Sequence, residues 1–475
     1  MPRSAIHVSP YSGLWYPADP AELNHMLAEL WRQSQNRIGS SLAPYGAAFV
    51  VPHAGLRYSG VVAAAVYRYL EQVQPERIIL AGFSHRGGPA AVCIPEIEAY
   101  STPLGTIQVD AATAKHLAGK EPFRLAQEST LCDHSIEIQL PLLSKAVPQA
   151  RILPLYVGHI TEEARSRAAA VLAELLTEKT VLLASSDLTH YGADFGFLPF
   201  PVDEGTADNL RALDEEVLEA VGTLETDFFL RTLRRTSATV CGIEPISLLL
   251  ETVRRLDGKR EFFSLILDYM QSGEITGEYE TSVSYGALGF FPQQAFELEE
   301  EAAQAALELA RRTLDHYQKT GSRLPPAAPS LHPALKRHCS LFVSIHQKGK
   351  LRGCLGRTDA TLPLERLIPE MTLAAALDDP RFAPVKAEDQ DLEIEISLLT
   401  PMKRILDRAA LQAGVHGAVL EVRGRRGLLL PQVASERGWD RDRFLQALAM
   451  KAGVPLEALD DPEARLYVFR AQVIH

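Results

Sequence analysis

Residues 47–60 read Ala47-Ala-Phe-Val-Val-Pro52-His53-Ala-Gly55-Leu-Arg-Tyr58-Ser-Gly60, an apolar run that stops on a histidine and a small-residue turn. A continuous apolar run bounded by Pro52 and Gly55 has the pattern of a strand buried on both faces in a parallel sheet. The Gly-Val-Val-Ala-Ala-Ala stretch that follows Ser59 predicts the next helix. His53 then falls just past the strand's carboxyl end. In open α/β sheets ligands bind at this edge, because the loops there form a crevice above the sheet.

The pattern recurs along the first half of the chain. Arg77-Ile-Ile-Leu-Ala-Gly-Phe-Ser-His85 is a second apolar strand that ends on a histidine, and Arg151-Ile-Leu-Pro-Leu-Tyr-Val-Gly158 is a third. Thr180-Val-Leu-Leu-Ala-Ser-Ser-Asp187-Leu-Thr-His190 is a fourth, and helices are predicted at 162–177, 204–221 and 226–235. Of 14 histidines, His53, His85 and His190 therefore follow three of the most apolar strands, with Asp187 beside the last. Parallel strands joined by helices bring such ends to one sheet edge. His and Asp side chains gathered there are ligand types suited to iron, zinc or copper. Each residue also has a plainer reading, as a hydrogen-bonded loop histidine or, for Ser185-Ser-Asp187, a helix cap.

Cys241, in Thr239-Val-Cys241-Gly-Ile-Glu-Pro245, sits at a turn into a helix, where backbone N–H groups and the helix dipole favour a thiolate. The alternative is a buried cysteine at a helix start. Thr130-Leu-Cys-Asp133 has capping-box spacing and leads into His134-Ser-Ile-Glu137, a helix that Pro141 is expected to kink or end. Short strands are expected at 91–97 and 104–109, a helix at 21–35 after Asp19, and a β-rich close at 261–270 and 282–291.

At 475 residues the chain is long enough for two or three domains, and 46% hydrophobic with 23% charged residues is a globular composition. A net charge of -12 argues against nucleic acid or an anionic membrane surface as the main partner. No apolar stretch approaches the roughly 20 residues that span a bilayer, and the opening residues lack a signal-peptide core, so a cytoplasmic location is expected. Cys93, Cys132, Cys241, Cys339 and Cys354 are odd in number and scattered, which argues against a disulfide framework. No Walker A loop or Gly-x-Gly-x-x-Gly motif occurs, so no nucleotide cofactor is expected.

The composition shifts at Gln293. A long helix is predicted over 297–319, acidic first and basic last, then a proline-rich strap over 321–333. A separate pattern follows, with strands at 340–345 and 392–399, helices at 364–377 and 441–452, and a hairpin from 418, an α+β arrangement smaller than the first half. Arg352 and Cys354, in Leu351-Arg-Gly-Cys-Leu-Gly356, read as a glycine-flanked turn. It would hold an anion or present a nucleophile, or use its glycines for backbone geometry with Cys354 packed inside. Lys348, Lys350, Arg352 and Arg357 form a small basic patch in the sequence.

Taken together, Pro52-His53-Ala-Gly55 with Tyr58-Ser-Gly60, Ser84-His85, His134-Ser-Ile-Glu137 with Leu140-Pro141, Ser185-Ser-Asp187-Leu-Thr-His190-Tyr-Gly192, Val240-Cys241-Gly242 and Ser284-Tyr-Gly-Ala-Leu288 resemble the Memo family. Its fold is similar to that of LigB-type class III extradiol dioxygenases. The resemblance implies an α/β sheet flanked by helices over residues 1–295. It also implies a metal site on His53, His85 and Cys241, with Asp187 and His190 adjoining, where the related dioxygenases use a carboxylate in place of Cys241. Phe83, where many relatives have proline, and Arg86 depart from the family pattern.

Residues 296–475 resemble the AMMECR family through Leu351–Gly356, Asp379-Pro-Arg-Phe382, residues 394–401, His416-Gly417, Leu430-Pro431 and Gly438-Trp-Asp440. The fusion resembles proteins B and A of the AmmeMemoRadiSam system, which implies a radical-SAM partner. The expectation is a redox enzyme of dioxygenase type using Fe(II), with copper or zinc as alternatives, acting on a small molecule or peptide. His190 would be its general acid/base, oriented by Asp187, with Tyr58 and His134 lining the pocket. The rival readings are a binding or adaptor module and a zinc-dependent hydrolase.

Overall fold

A computed structural model describes residues 6–38, 46–257, 260–323 and 332–475. Most of the proline-rich strap falls outside this set. Contacts divide the described chain between Pro292 and Gln293, and each unit has its own core.

The first unit is built on a nine-stranded mixed sheet. Its centre is four parallel strands in the order Ala48–Val51, Thr180–Ser185, Arg77–Gly82, Arg151–Val157. Every residue of Ala48–Val51 and of Thr180–Ser185 is buried, as continuous apolar runs require when helices cover both faces. The register pairs Val51 with Ser185, so His53 and Asp187 each leave the sheet two residues past a matched pair. Helix Leu56–Val73 follows the first strand and buries Val62, Ala64, Val66, Tyr67 and Leu70. Helices Glu162–Leu175 and Ile243–Asp257 pack on each other beside the same sheet.

The sheet is extended antiparallel on one side by Thr281–Pro292, which carries both His190–Gly192 and Phe262–Gln271. On the other side come Val92–Pro95, antiparallel to Arg151–Val157, and Phe123–Ala126. A separate three-stranded sheet joins Ile6–Val8, Ala99–Thr102 and Gly105–Gln108. These short, partly polar strands were not expected from the sequence, except for the last. The capping-box reading of Thr130 is corrected as well. Glu128–Leu131 is one helical turn, and Asp133 caps the next, His134–Glu137, by accepting the Ser135 N–H. Pro141 lies in the first turn of a new helix, Gln139–Ala146, where its missing N–H has no intrahelical partner to lose.

The second unit holds two four-stranded antiparallel sheets with helices Glu300–Thr320, Leu364–Leu377 and Arg441–Ala452. Arg352 and Cys354 lie in the strand Lys350–Arg357, not in a turn. The turn is Lys348-Gly349, both at positive φ (52° and 71°). Gly353 and Gly356 serve close packing: a Cβ on Gly353 would stand 2.0 Å from the carbonyl oxygen of Ala375, and one on Gly356 2.3 Å from the Phe342 ring. The Arg352 guanidinium donates to the carbonyls of Ala383 and Pro384 and pairs with Asp389, while Arg357 pairs with Asp359 and Glu370. Two of the four cations of the basic patch, Arg352 and Arg357, are thus paired, and the anion-holding reading of Arg352 gives way to one of tying down residues 383–389.

Candidate metal centre

Three of the four central parallel strands deliver a histidine or an aspartate to one edge. His53 is 2% exposed. Its Nδ1 lies 3.1 Å from Ser185 Oγ, which in turn accepts a hydrogen bond from the Gln139 amide, and its Nε2 faces Cys241 Sγ at 3.3 Å. His85 presents Nδ1 to Asp133 Oδ1 at 2.9 Å, and its backbone N–H donates to the other oxygen of the same carboxylate. A carboxylate acts only as acceptor when ionised, so Nδ1 carries a proton, and in the neutral ring Nε2 is the nitrogen with the lone pair. His134 stacks on His85 with ring centres 4.0 Å apart and packs against Trp15 at 4.4 Å.

Two groups of metal-ligand atoms result, each within 4.8 Å of one another: His53, His85 and His134, and His53, Asp187 and Cys241. His53 belongs to both. The donor set fits a transition-metal ion: imidazoles whose second nitrogen is held by a carboxylate or hydroxyl, with one sulfur ligand, are the arrangement that orients ligands and fixes tautomers at metal sites.

The electrostatics favour neutral imidazoles at His53 and His134. Burial, reinforced by His85, holds His53 down to about 3, and burial holds His134 down to about 4 against the pull of Asp133. Asp133 stays ionised down to about 2, because the hydrogen bonds from His85 and the Ser135 N–H outweigh its burial. The thiolate expected at Cys241 is corrected for the protein by itself. Burial and the neighbouring Asp187 push the thiol well above its usual range, and the Asp187 N–H, donating to Sγ at 3.2 Å, offsets only part of this. Ionisation of this sulfur needs a cation beside it.

Asp187 and His190 are close by but are not joined in the way the sequence led us to expect. Asp187 Oδ1 accepts the backbone N–H groups of His53 (2.7 Å) and Ala54 (3.3 Å), which fixes the loop behind the histidine. His190 Nδ1 instead lies 3.0 Å from the carbonyl oxygens of both Leu188 and Thr239. Carbonyls only accept, so Nδ1 carries a proton, and in the neutral ring Nε2 is the acceptor nitrogen.

His53, His85, His134, Asp187, His190 and Tyr58 all line one cavity of about 650 Å³, together with Trp15 and Tyr285. Cys241 and His85 also border a second, smaller one of about 350 Å³. Sequence reasoning gave no role in the site to Asp133, Ser185, Gln139, Thr239 or Trp15. The Asp133-His134 pair next to a helix start was the available signal for the first of these. Cys354 is remote in sequence and lies in the second unit, its backbone N–H donating to Asp379 and its thiol pushed up by burial. Among the described residues no helix is long and apolar enough to cross a membrane.

Comparison with known proteins matches residues 8–289 to the family described as Memo-like protein and residues 307–474 to AMMECR1. A MEMO1 family protein of Methanosarcina barkeri is 33% identical over 281 residues, covering 58% of this chain and 97% of that protein. A Methanothermobacter thermautotrophicus protein is 37% identical over 187 residues, 38% of this chain and 96% of its own length. Among solved structures, an uncharacterized protein of Pyrococcus horikoshii aligns with 33% identity over 37% of this chain and 92% of its own, with a TM-score of 0.36. Through its first unit the chain belongs to the Memo-like family, and it continues into an AMMECR1 region.

Proposed function

We propose that the first unit is a metal-dependent oxidoreductase of dioxygenase-like type, with His53, His85 and Cys241 holding Fe(II) or copper. The observation that carries this reading is the 3.3 Å approach of His53 Nε2 to Cys241 Sγ beside a cavity that His85, His134 and His190 also line. A redox-active metal bound there supplies electron transfer and Lewis acidity at the cavity wall. A sulfur donor beside imidazoles favours softer transition metals over the hard cations that take all-oxygen sites.

The chain's own groups then have distinct tasks. His190, with Nδ1–H fixed by two carbonyls, offers Nε2 as the base that takes or returns a substrate proton. Asp187 holds the His53 loop by its two N–H groups. Trp15 and Tyr285 wall the cavity, and Tyr58, 36% exposed, stands at its rim to meet a small molecule or peptide. We place the protein in one system with a radical-SAM enzyme, a partnership that co-purification from a native extract would test.

The test of the metal assignment is elemental analysis of anaerobically prepared protein, wild type against His53→Ala and Cys241→Ser. The expected result is loss of iron or copper in both variants. Equal stoichiometry in all three would sink the ligand set. Zinc as purified with no oxygen consumption would favour hydrolysis instead.

A further inference from the structure

The turn that carries Asp133 and His134 toward the cavity has a second side. Cys132 and Glu137 stand there, and His7 of the strand Ile6–Val8 meets them, their ligand atoms all within 4.8 Å of one another. His7 Nε2 lies 3.1 Å from Glu137 Oε1, and His7 Nδ1 lies 3.6 Å from Glu128 Oε2. Glu137 is fully buried, and among the described residues its second oxygen, Oε2, has no hydrogen-bond partner. A buried carboxylate with an unsatisfied oxygen is costly unless a positive group meets it.

We propose that His7, Cys132 and Glu137 bind a divalent cation of borderline softness, zinc foremost, at a site separate from the His53 centre. One imidazole nitrogen, one sulfur and one carboxylate are the donors that Zn²⁺ takes. The 3.1 Å between His7 Nε2 and Glu137 Oε1 suits two ligands on one ion with bonds of roughly 2.0 to 2.2 Å. Glu128, beside His7 Nδ1, then fills the role of the outer carboxylate that orients a ligating histidine. Binding from the state with protonated His7 releases two protons to solvent, one from the Cys132 thiol and one from His7 Nε2, so the ion replaces the imidazolium proton as the counter-charge of Glu137. The competing arrangement is a metal-free ion pair in which protonated His7 bridges the two glutamates.

The site would tie the Ile6–Val8 strand to the turn whose other face carries Asp133 and His134. Its role is therefore structural, holding the wall of the first centre from behind.

The test uses the full-length chain. In a His53→Ala, His85→Ala, Cys241→Ser variant, stripped with chelator and dialysed against Zn²⁺, one zinc per chain is expected to remain. With Co²⁺ this variant should show a near-ultraviolet thiolate-to-cobalt band, and adding Cys132→Ser should abolish both the band and the bound ion. No bound zinc in a variant that keeps wild-type circular dichroism, or a band that survives Cys132→Ser, overturns the proposal. Should that variant not fold, Glu137→Gln in the otherwise wild-type chain decides. Affinity for one of two zinc equivalents is expected to fall by about tenfold or more, and unchanged binding of both equivalents, or a wild type that binds only one, refutes the site.

Discussion

Asp133 grips His85 twice, taking the ring Nδ1–H at 2.9 Å on one oxygen and the backbone N–H at 3.1 Å on the other. The carboxylate thus fixes both the rotation of the ring and the tautomer that aims Nε2 at the cavity. Asp133→Asn is expected to weaken metal binding by about 10- to 100-fold, since outer ligands contribute on that scale. Competition titration against a chromophoric chelator measures it, with circular dichroism as the check on folding.

His190 lies outside both groups of ligand atoms that share His53, and its Nδ1 is engaged by two carbonyls. His190→Ala should therefore leave the metal content at the wild-type level, measured by elemental analysis. A fall to the level of the His53→Ala variant would make His190 a ligand and not a base.

Gly242 follows Cys241 and packs on the strand that ends at Ser185. A Cβ there would stand 2.4 Å from the Ser186 Cβ and 2.8 Å from the Ser185 carbonyl oxygen. Gly242→Ala should displace Cys241 from His53 and destabilise the first unit by about 1–3 kcal/mol, as overpacking does. Thermal unfolding with metal titration on the same samples separates the two effects.

Gly353→Ala brings a methyl within 2.0 Å of the Ala375 carbonyl oxygen, a backbone atom of the helix Leu364–Leu377. The helix has to move away from the strand. A loss of about 1–3 kcal/mol is expected in urea unfolding of the second unit, whereas Cys354→Ser at the neighbouring position should cost less because its volume is nearly conserved.

Asp379 is held well below the usual carboxylate range, first by the Arg381 guanidinium (2.7 and 2.9 Å) and also by the Cys354 N–H (2.8 Å), despite its burial. Its native value is depressed, so its contribution is present above the unfolded value near 3.9 and is lost as pH falls toward the native one. The second unit should weaken below about pH 4. Because Arg381 is half exposed, the pair is screened and Asp379→Asn should cost only about 1–2 kcal/mol at neutral pH. Urea midpoints at neutral and acidic pH should converge for wild type and variant as the acid limit is approached.

The parallel core and the edge carrying the candidate site were legible because the central strands are continuous apolar runs and three of the four stop on a polar residue, His53, His85 or the Asp187–His190 segment. The elements left unread were short and half polar, such as Ala99–Thr102 and Phe123–Ala126, whose existence depends on neighbours rather than on their own pattern. The pairing of Asp133 with His85 escaped notice because a carboxylate's partner across 48 residues of chain leaves no periodic trace. Leu351–Gly356 misled in the other direction. Two glycines in six residues resemble a turn, and only the packing of Ala375 and Phe342 against them explains why glycine stands in a strand.

The strand Thr281–Pro292 is the last of the first unit, yet it pairs with Ala48–Val51, the first strand of the central sheet. During synthesis the early strands must therefore wait, with one edge uncovered, until the ribosome has delivered nearly all of this unit. His53 is translated long before Cys241, so an ion encountered by the nascent chain meets half a site. Metal acquisition at the proposed centre would then be a late event, and a chain truncated before residue 281 would leave the central sheet open to neighbouring chains instead of closing on itself.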